Sequence, residues 1–312
     1  MKVFFDYAIF TLQRFGGVSN YIVNLAENFS DQVDPSIISL FYKNYYLKNS
    51  SFADKLFFYN RVGSMIKYIN KANKIYFNYK LRKEIPDIIH LTYFNEKNFY
   101  ASKAKKVITE YDLIKEKFYS EKHQDQIEYK KKLFEKVDQI ICISNNTKKD
   151  LQQEYSIDAS KISVVHLAVN KNKDFRDRFL NVRPFILYVG LRQRYKNFIN
   201  AIKAYARSSK LKLDFDFLCF GGGNFSKTEE DLFRKLSLDR SRIHYFQGDQ
   251  LDLNYFYHKA RIFIFPSLYE GFGIPLLEAM NMNCPVICSD TSCFSEIVND
   301  AAILFDPTDI ES

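Results

Sequence analysis

The chain has 312 residues, 46% of them hydrophobic and 17% aromatic, which is enough apolar material for two ordinary domains and excludes a disordered chain. No apolar run reaches the ~18 residues of a membrane span, and Met1-Lys-Val-Phe-Phe-Asp6 does not read as a signal peptide, so a cytoplasmic protein is expected. The net charge of +8 is uneven: residues 1–170 hold 26 Lys+Arg against 19 Asp+Glu, and the remainder 19 against 18.

In chain order, Lys2 to Phe5 reads as a strand, followed by a loop and a helix from about Gly17 to Phe29. Further strands are expected at Ser36–Phe41, Ile88–Leu91, Lys106–Thr109, Gln139–Ile143 and Ile162–Val165, with helices at Glu121–Lys136 and Asn145–Tyr155. That alternation predicts a doubly wound α/β domain over 1–170. Between Lys55 and Lys83 stand Lys55, Arg61, Lys67, Lys71, Lys74, Lys80, Arg82 and Lys83, interleaved with aromatics and without an acidic residue. A helix of that kind either lies on an anionic membrane surface or presents a solvated face over an aromatic core.

The polar stretch 171–183 reads as a linker. A second alternation over 184–312 has strands at Phe185–Val189, Phe215–Phe220, Ile243–Phe246, Ile262–Phe265, Val286–Cys288 and Ile303–Phe305. Helices are expected at Asn197–Arg207 and Lys227–Leu236. Cys142, Cys219, Cys284, Cys288 and Cys293 are scattered, without zinc-ligand spacing, and read as buried thiols of a reducing compartment.

The segment Phe265-Pro-Ser-Leu-Tyr-Glu270-Gly-Phe-Gly-Ile-Pro-Leu-Leu-Glu278-Ala-Met280 says most about function. It sets Glu270 on the loop after a buried strand and Glu278 in the following helix, with Pro275 in the first turn. Open α/β sheets bind ligands in the crevice at the carboxyl ends of their strands. Backbone N–H groups at such a helix start suit a diphosphate, whereas carboxylates there suit sugar or ribose hydroxyls. Upstream, Gly190-Leu-Arg192-Gln-Arg194-Tyr-Lys196-Asn197 places basic groups after the first strand of this domain, where they can offset charge on a departing diphosphate.

These two segments resemble the E-x7-E signature and the G-x-R-x-x-x-K-N element of retaining glycosyltransferases of family 4. Gly221-Gly-Gly223, Gly248-Asp249 and the loop Phe10-Thr-Leu-Gln13-Arg-Phe-Gly16-Gly17-Val-Ser19 also fit that family. The resemblance implies a GT-B architecture: two facing Rossmann-like, doubly wound domains with an interdomain cleft, acceptor-binding over 1–170 and nucleotide-sugar-binding over 184–312. It implies a retaining, metal-independent hexosyltransferase without a cofactor, its donor a GDP- or UDP-sugar with mannose favoured. The acceptor is a glycan or lipid-linked glycan of cell-surface polysaccharide or lipopolysaccharide synthesis.

By the same resemblance, Glu270, Arg192 and Lys196 carry the chemistry. Glu278, Gly16, Gly17, Gly190, Phe272, Gly273, Ile274, Pro275, Leu276, Gly248 and Asp249 hold the donor. The family's V-H-D is replaced here by Thr109-Glu110-Tyr111-Asp112, leaving Tyr111 and Asp112, with His90, as acceptor-side candidates. The chain stops at Ser312, where members of the family usually continue with helices that cross back to the first domain, so a shortened second domain is expected. The alternatives are a glycosidase, or a truncated, inactive relative that binds a nucleotide or a partner protein. A peripheral contact with the inner face of the membrane through 55–83 is a further expectation, and no nucleic-acid partner is expected.

Overall fold

The computed structural model describes residues 1–52, 57–59, 65–94, 102–169, 171, 173–177, 183–192 and 194–312. The chain divides into two compact units, 1–143 with 147–165 and 144–146 with 166–312.

The first unit runs β1 (Lys2–Phe5), α1 (Ala8–Leu12), α2 (Gly17–Glu27), β2 (Asp34–Ile37), β3 (Phe41–Tyr42), α3 (Tyr45–Lys48), β4 (Phe57–Phe58), α4 (Ile66–Lys83), β5 (Ile88–Leu91), β6 (Lys105–Glu110), α5 (Ile114–Lys136), β7 (Gln139–Cys142), α6 (Asn145–Tyr155) and β8 (Ile162–Val164). Its parallel sheet has the order β2-β1-β5-β6-β7-β8. Strand alternation feeds two cores: Phe4 packs on one face of β1 while Val3 and Phe5 pack on the other.

The expected strand Ser36–Phe41 is corrected: β2 begins at Asp34 and Phe41 belongs to a separate small ladder with β4. Pro35 falls inside β2, which an edge strand tolerates because one side of it needs no ladder N–H. Phe41 is held instead by Asn73 of α4, which accepts from its N–H at 2.8 Å and donates to its carbonyl at 2.9 Å. The helix expected from Glu121 begins seven residues earlier, at Ile114, whose N–H donates to the Asp112 carboxylate at 3.0 Å.

α5 is not straight, because Tyr119 and His123 have non-helical dihedrals (φ −141° and −127°). On an unbroken helix Glu116 and Lys130 would stand about 21 Å apart along the axis. Their side chains meet at 2.7 Å, so the two limbs fold toward each other.

The second unit runs β9 (Phe185–Val189), α7 (Phe198–Arg207), α8 (Ser209–Asp214), β10 (Asp216–Phe220), α9 (Lys227–Lys235), β11 (Ile243–Phe246), α10 (Gln250–Lys259), β12 (Ile262–Phe265), α11 (Ile274–Asn281), β13 (Val286–Ser289), α12 (Phe294–Val298) and β14 (Ile303–Phe305). Its sheet, also parallel, has the order β11-β10-β9-β12-β13-β14, the 3-2-1-4-5-6 arrangement of a Rossmann sheet. Within 171–183 the described residues form no regular element. Of these, 174–176 pack on α10: Asn254 donates to the Asp174 carbonyl at 2.7 Å, and the Phe175 ring stacks on His258.

Gly273 starts α11 at φ +98°, and a Cβ there would meet Leu276 at 3.0 Å and Phe265 at 3.4 Å. Gly273→Ala is therefore expected to destabilise the second unit by about 1–2 kcal/mol for the left-handed backbone, with a further ~1–3 kcal/mol of overpacking. A urea melt followed by circular dichroism reads this directly, and an unchanged midpoint would refute it.

Candidate functional site

Each sheet has one point where its strand order reverses, and the loops leaving the two strands there splay apart to form a crevice. In the second unit that point lies between β9 and β12. The chain leaves β9 at Gly190, whose φ of +116° favours glycine, and then makes a short turn over Arg194–Lys196. Leu268 N–H donates to the Tyr195 carbonyl at 2.7 Å, tying the β12 loop to the β9 loop. Across this tie the Lys196 ammonium donates to Glu270 Oε1 at 2.5 Å. Ser267 also donates to Glu270 Oε1, at 2.8 Å, and the Ser292 hydroxyl donates to the Glu270 carbonyl at 2.6 Å.

Glu278 stands on α11 with partners of its own. The Tyr257 hydroxyl and the Gln250 amide each donate to it at 3.3 Å. Burial raises its pKa above the usual glutamate value, and these two hydrogen bonds work against the rise. The turn Phe272-Gly273-Ile274-Pro275-Leu276 leads into that helix, with the Leu276 N–H closing onto the Gly273 carbonyl at 2.9 Å.

Arg192 is placed differently from Lys196. Its guanidinium donates to Glu229 at 2.5 Å and to the carbonyls of Gly221, Gly223 and Asn224, and its side chain is 4% exposed. It fastens the glycine turn after β10, and a Cβ on Gly222 would come within 2.8 Å of it. Gly248 and Asp249 precede α10. Asp249 accepts from the Asp252 N–H at 3.1 Å and pairs with Arg176, while the Asp252 carboxylate occupies the place a Gly248 side chain would take. The structure thus joins Lys196 to Glu270, seats Glu278 between α10 and α11, and commits Arg192 and Asp249 to holding turns.

In the first unit the reversal lies between β1 and β5. Gly16 and Gly17 open α2. The Gln13 side chain fills the space beside Gly16, and nothing lies within 4 Å of a Cβ built on Gly17. Tyr111 packs edge-on against Tyr21 at 5.6 Å, and burial keeps its phenol neutral. Asp112 stands just before α5, its carboxylate accepting from the first N–H of that helix, and burial raises its pKa. His90 is a core residue: it bonds Thr109 Oγ1 at 3.0 Å, stacks on Phe5, and burial lowers its pKa to about 4.

The sequence reading missed a buried ionic cluster. Lys130 donates to Glu110 at 3.0 Å and to Glu116 at 2.7 Å, and Tyr155 donates to Glu116 at 2.5 Å. Glu110, at the end of an apolar strand, was its only signal in the sequence. With one lysine shared by two carboxylates, burial lifts Glu110 to about 7, while Glu116, with the tyrosine as well, is held below its usual value.

The signs of two shifts give a pH prediction. Glu110 has a raised folded pKa, so its contribution is present below about 4.5 and lost as pH rises toward about 7. His90 has a lowered folded pKa, so its contribution is present above about 6.5 and lost as pH falls toward about 4. The two slopes oppose each other over this range. His90→Gln is therefore expected to expose a steady loss of first-unit stability from about pH 4.5 to 7. Hydrogen exchange of the β5 and β6 amides tests this, and a variant with the wild-type profile would contradict it.

Two family descriptions match the chain, Glycosyltransferase Family 4 over residues 15–173 and Glycosyl transferases group 1 over residues 170–312. Among similar proteins, O-antigen chain mannosyltransferase B of Escherichia coli is 28% identical over 209 residues, covering 61% of this chain and 54% of that protein. O-antigen chain mannosyltransferase RfbU of Salmonella typhimurium is 29% identical over 176 residues, covering 55% and 48%. The chain spans about half the length of the curated relatives it matches. Among solved structures, the lipopolysaccharide outer core galactosyltransferase WaaB superposes with TM-score 0.66 at 19% identity, over 100% of this chain and 87% of that one. Anabaena HepE in complex with UDP and glucose gives TM-score 0.74 at 15% identity, with coverage of 100% and 87%. These likenesses establish the GT-B fold. With one description spanning half the chain and the other the second unit's sheet, the chain belongs to Glycosyltransferase Family 4.

Proposed function

We propose that the protein is a retaining, metal-independent hexosyltransferase. It moves a mannose-like sugar from a GDP- or UDP-sugar to a glycan or lipid-linked acceptor of surface polysaccharide or lipopolysaccharide synthesis. The observation that carries this reading is the Lys196–Glu270 pair at the strand-order reversal of the second sheet, with Glu278 on the following helix. The mannosyltransferase relatives support the sugar and the process.

In this reading the diphosphate lies against Lys196 and the N–H groups of Phe272, Gly273 and Ile274, which offset the charge that grows as the glycosidic bond breaks. Glu270, relieved of its lysine by the incoming diphosphate, accepts from hydroxyls of the transferred sugar, and Glu278 accepts from the ribose. The acceptor hydroxyl attacks from the side the diphosphate leaves, and the diphosphate takes its proton.

A thermal-shift panel of GDP-mannose and UDP-, ADP- and dTDP-sugars tests donor binding. A ligand at about 100 times its dissociation constant adds about 2.7 kcal/mol, a rise of several degrees. Silence across the panel from a cooperatively melting chain favours the non-catalytic relative.

The reading includes a membrane contact through α4. Its described residues carry Lys67, Lys71, Lys74, Lys80, Arg82 and Lys83 with no acidic residue, while Tyr68 (73%), Ile75 (62%) and Tyr79 (49%) are exposed on its outer face. Lys55 and Arg61 lie outside the described residues. No helix among the described residues is long and apolar enough to cross a membrane. Exposed rings within a basic face suit an anionic lipid surface, each cation near it contributing about 1 kcal/mol. Vesicles containing anionic phospholipid are expected to sediment the protein, and Lys67→Glu with Lys71→Glu to release it. Equal sedimentation with neutral vesicles would rule the contact out.

A further inference from the structure

In the second unit the loop that carries Glu270 is fixed through its main chain. Before Glu270, the Leu268 N–H donates to the Tyr195 carbonyl at 2.7 Å. At Glu270 itself, the Ser292 hydroxyl donates to the carbonyl at 2.6 Å and accepts from the N–H at 3.3 Å. After it, the Cys293 thiol donates to the Phe272 carbonyl at 3.1 Å. With the main chain held on both sides, only the side-chain torsions of Glu270 remain to be set.

Two donors set those torsions, and they differ in exposure. Lys196 and Ser267 both reach the same oxygen, Oε1, at 2.5 and 2.8 Å. Oε2 has no hydrogen-bond partner among the described residues. The Lys196 and Glu270 side chains are 17% and 12% exposed, so a ligand reaches both, whereas Ser267 is 1% exposed. An arriving diphosphate therefore competes with Glu270 for the lysine but does not reach the serine hydroxyl. A carboxylate that lost its lysine and had no other donor would be free to rotate; the charge-assisted bond from Ser267 prevents this.

We propose that Ser267 is the positioning residue for the transferred sugar. It keeps Oε1 of Glu270 fixed after the diphosphate has drawn Lys196 away, so that Oε2 meets a hydroxyl of that sugar. This rests on the function proposed above and deepens its sugar-binding step. Ser267 itself touches no substrate and acts only through Glu270.

The test is calorimetric titration of the full chain with GDP, GDP-mannose, UDP and UDP-glucose. A nucleoside diphosphate lacks the sugar, so the ratio of its dissociation constant to that of its nucleotide sugar reads what the sugar contributes. Ser267→Ala is expected to lower this ratio about tenfold, the worth of a hydrogen bond to a charged group, with the diphosphate constant itself nearly unchanged. Glu270→Ala should lower the ratio at least as far, and Ser267→Ala should add nothing in that background. Ser267→Cys fills the same space with a weaker donor and should fall between wild type and Ser267→Ala. A serine that only supported the fold would move both constants together. The proposal is overturned if the ratio survives Ser267→Ala, if both constants rise equally, or if the effects of the two substitutions add. Those outcomes leave the transferase reading standing, because the wild type still binds its donor. A wild type that binds none of these ligands removes both.

Discussion

Lys130→Met is expected to cost the first unit about 3–5 kcal/mol at neutral pH, the typical penalty for removing one partner of a buried ion pair. Lys130, Glu110 and Glu116 have side chains 7%, 2% and 1% exposed, so the two carboxylates left behind gain little from water. They escape by taking up protons, which sets the pH dependence. Without the lysine both folded-state pKa values rise, so the variant's deficit grows as pH increases and shrinks toward pH 4.5. The same lysine joins the two limbs of α5, and its loss is expected to accelerate hydrogen exchange along Ile114–Lys136 first. Adding Glu110→Gln and Glu116→Gln to Lys130→Met should recover much of the loss. A deficit below about 1 kcal/mol at pH 7 would place the cluster with weak surface pairs.

The second large effect concerns turnover. Lys196→Ala is expected to lower kcat about 10²–10³-fold while donor affinity changes far less, because charge on the leaving diphosphate is greatest as the bond breaks. Glu278→Ala should do the reverse, weakening donor binding and leaving kcat closer to wild type. Glu278 has a raised pKa, so donor affinity should begin to fall with acid at a higher pH than for an ordinary glutamate. Lys196→Ala also leaves Glu270 without its cation, and Lys196→Ala/Glu270→Gln separates that loss from the loss of the lysine itself. Steady-state kinetics with one responding nucleotide sugar decides the matter. Unchanged kcat and KM in both single variants would sink these assignments.

Arg192 illustrates a limit of reading motifs. Its spacing after Gly190 suggests a phosphate clamp, yet its donors are spent on Glu229 and three carbonyls of the turn after β10. Arg192→Lys should therefore be felt in the stability of that turn, since an ammonium cannot serve four acceptors in one plane.

Most of the second unit was written in its sequence. Strands β9, β11, β12 and β14 fall where short apolar runs predict them; β9 and β12, with a core on each face, show no alternation to confuse. Glu270 and Glu278 were legible for the same reason: one strand, one glycine turn and one helix fix both locally. The first unit was less legible where non-local contacts decide. An edge position let Pro35 into a strand, and the side chain of Asn73 drew Phe41 into a separate ladder. Glu116 and Lys130 meet because α5 bends, and no helical periodicity brings residues fourteen apart together. The sequence by itself determined the alternation, the spacing of Glu270 and Glu278, and the family. Only the tertiary structure decided that Lys196 and Glu270 share one strand-order reversal. Local patterning sets each element, but strand order and helix bending depend on contacts between residues distant in sequence.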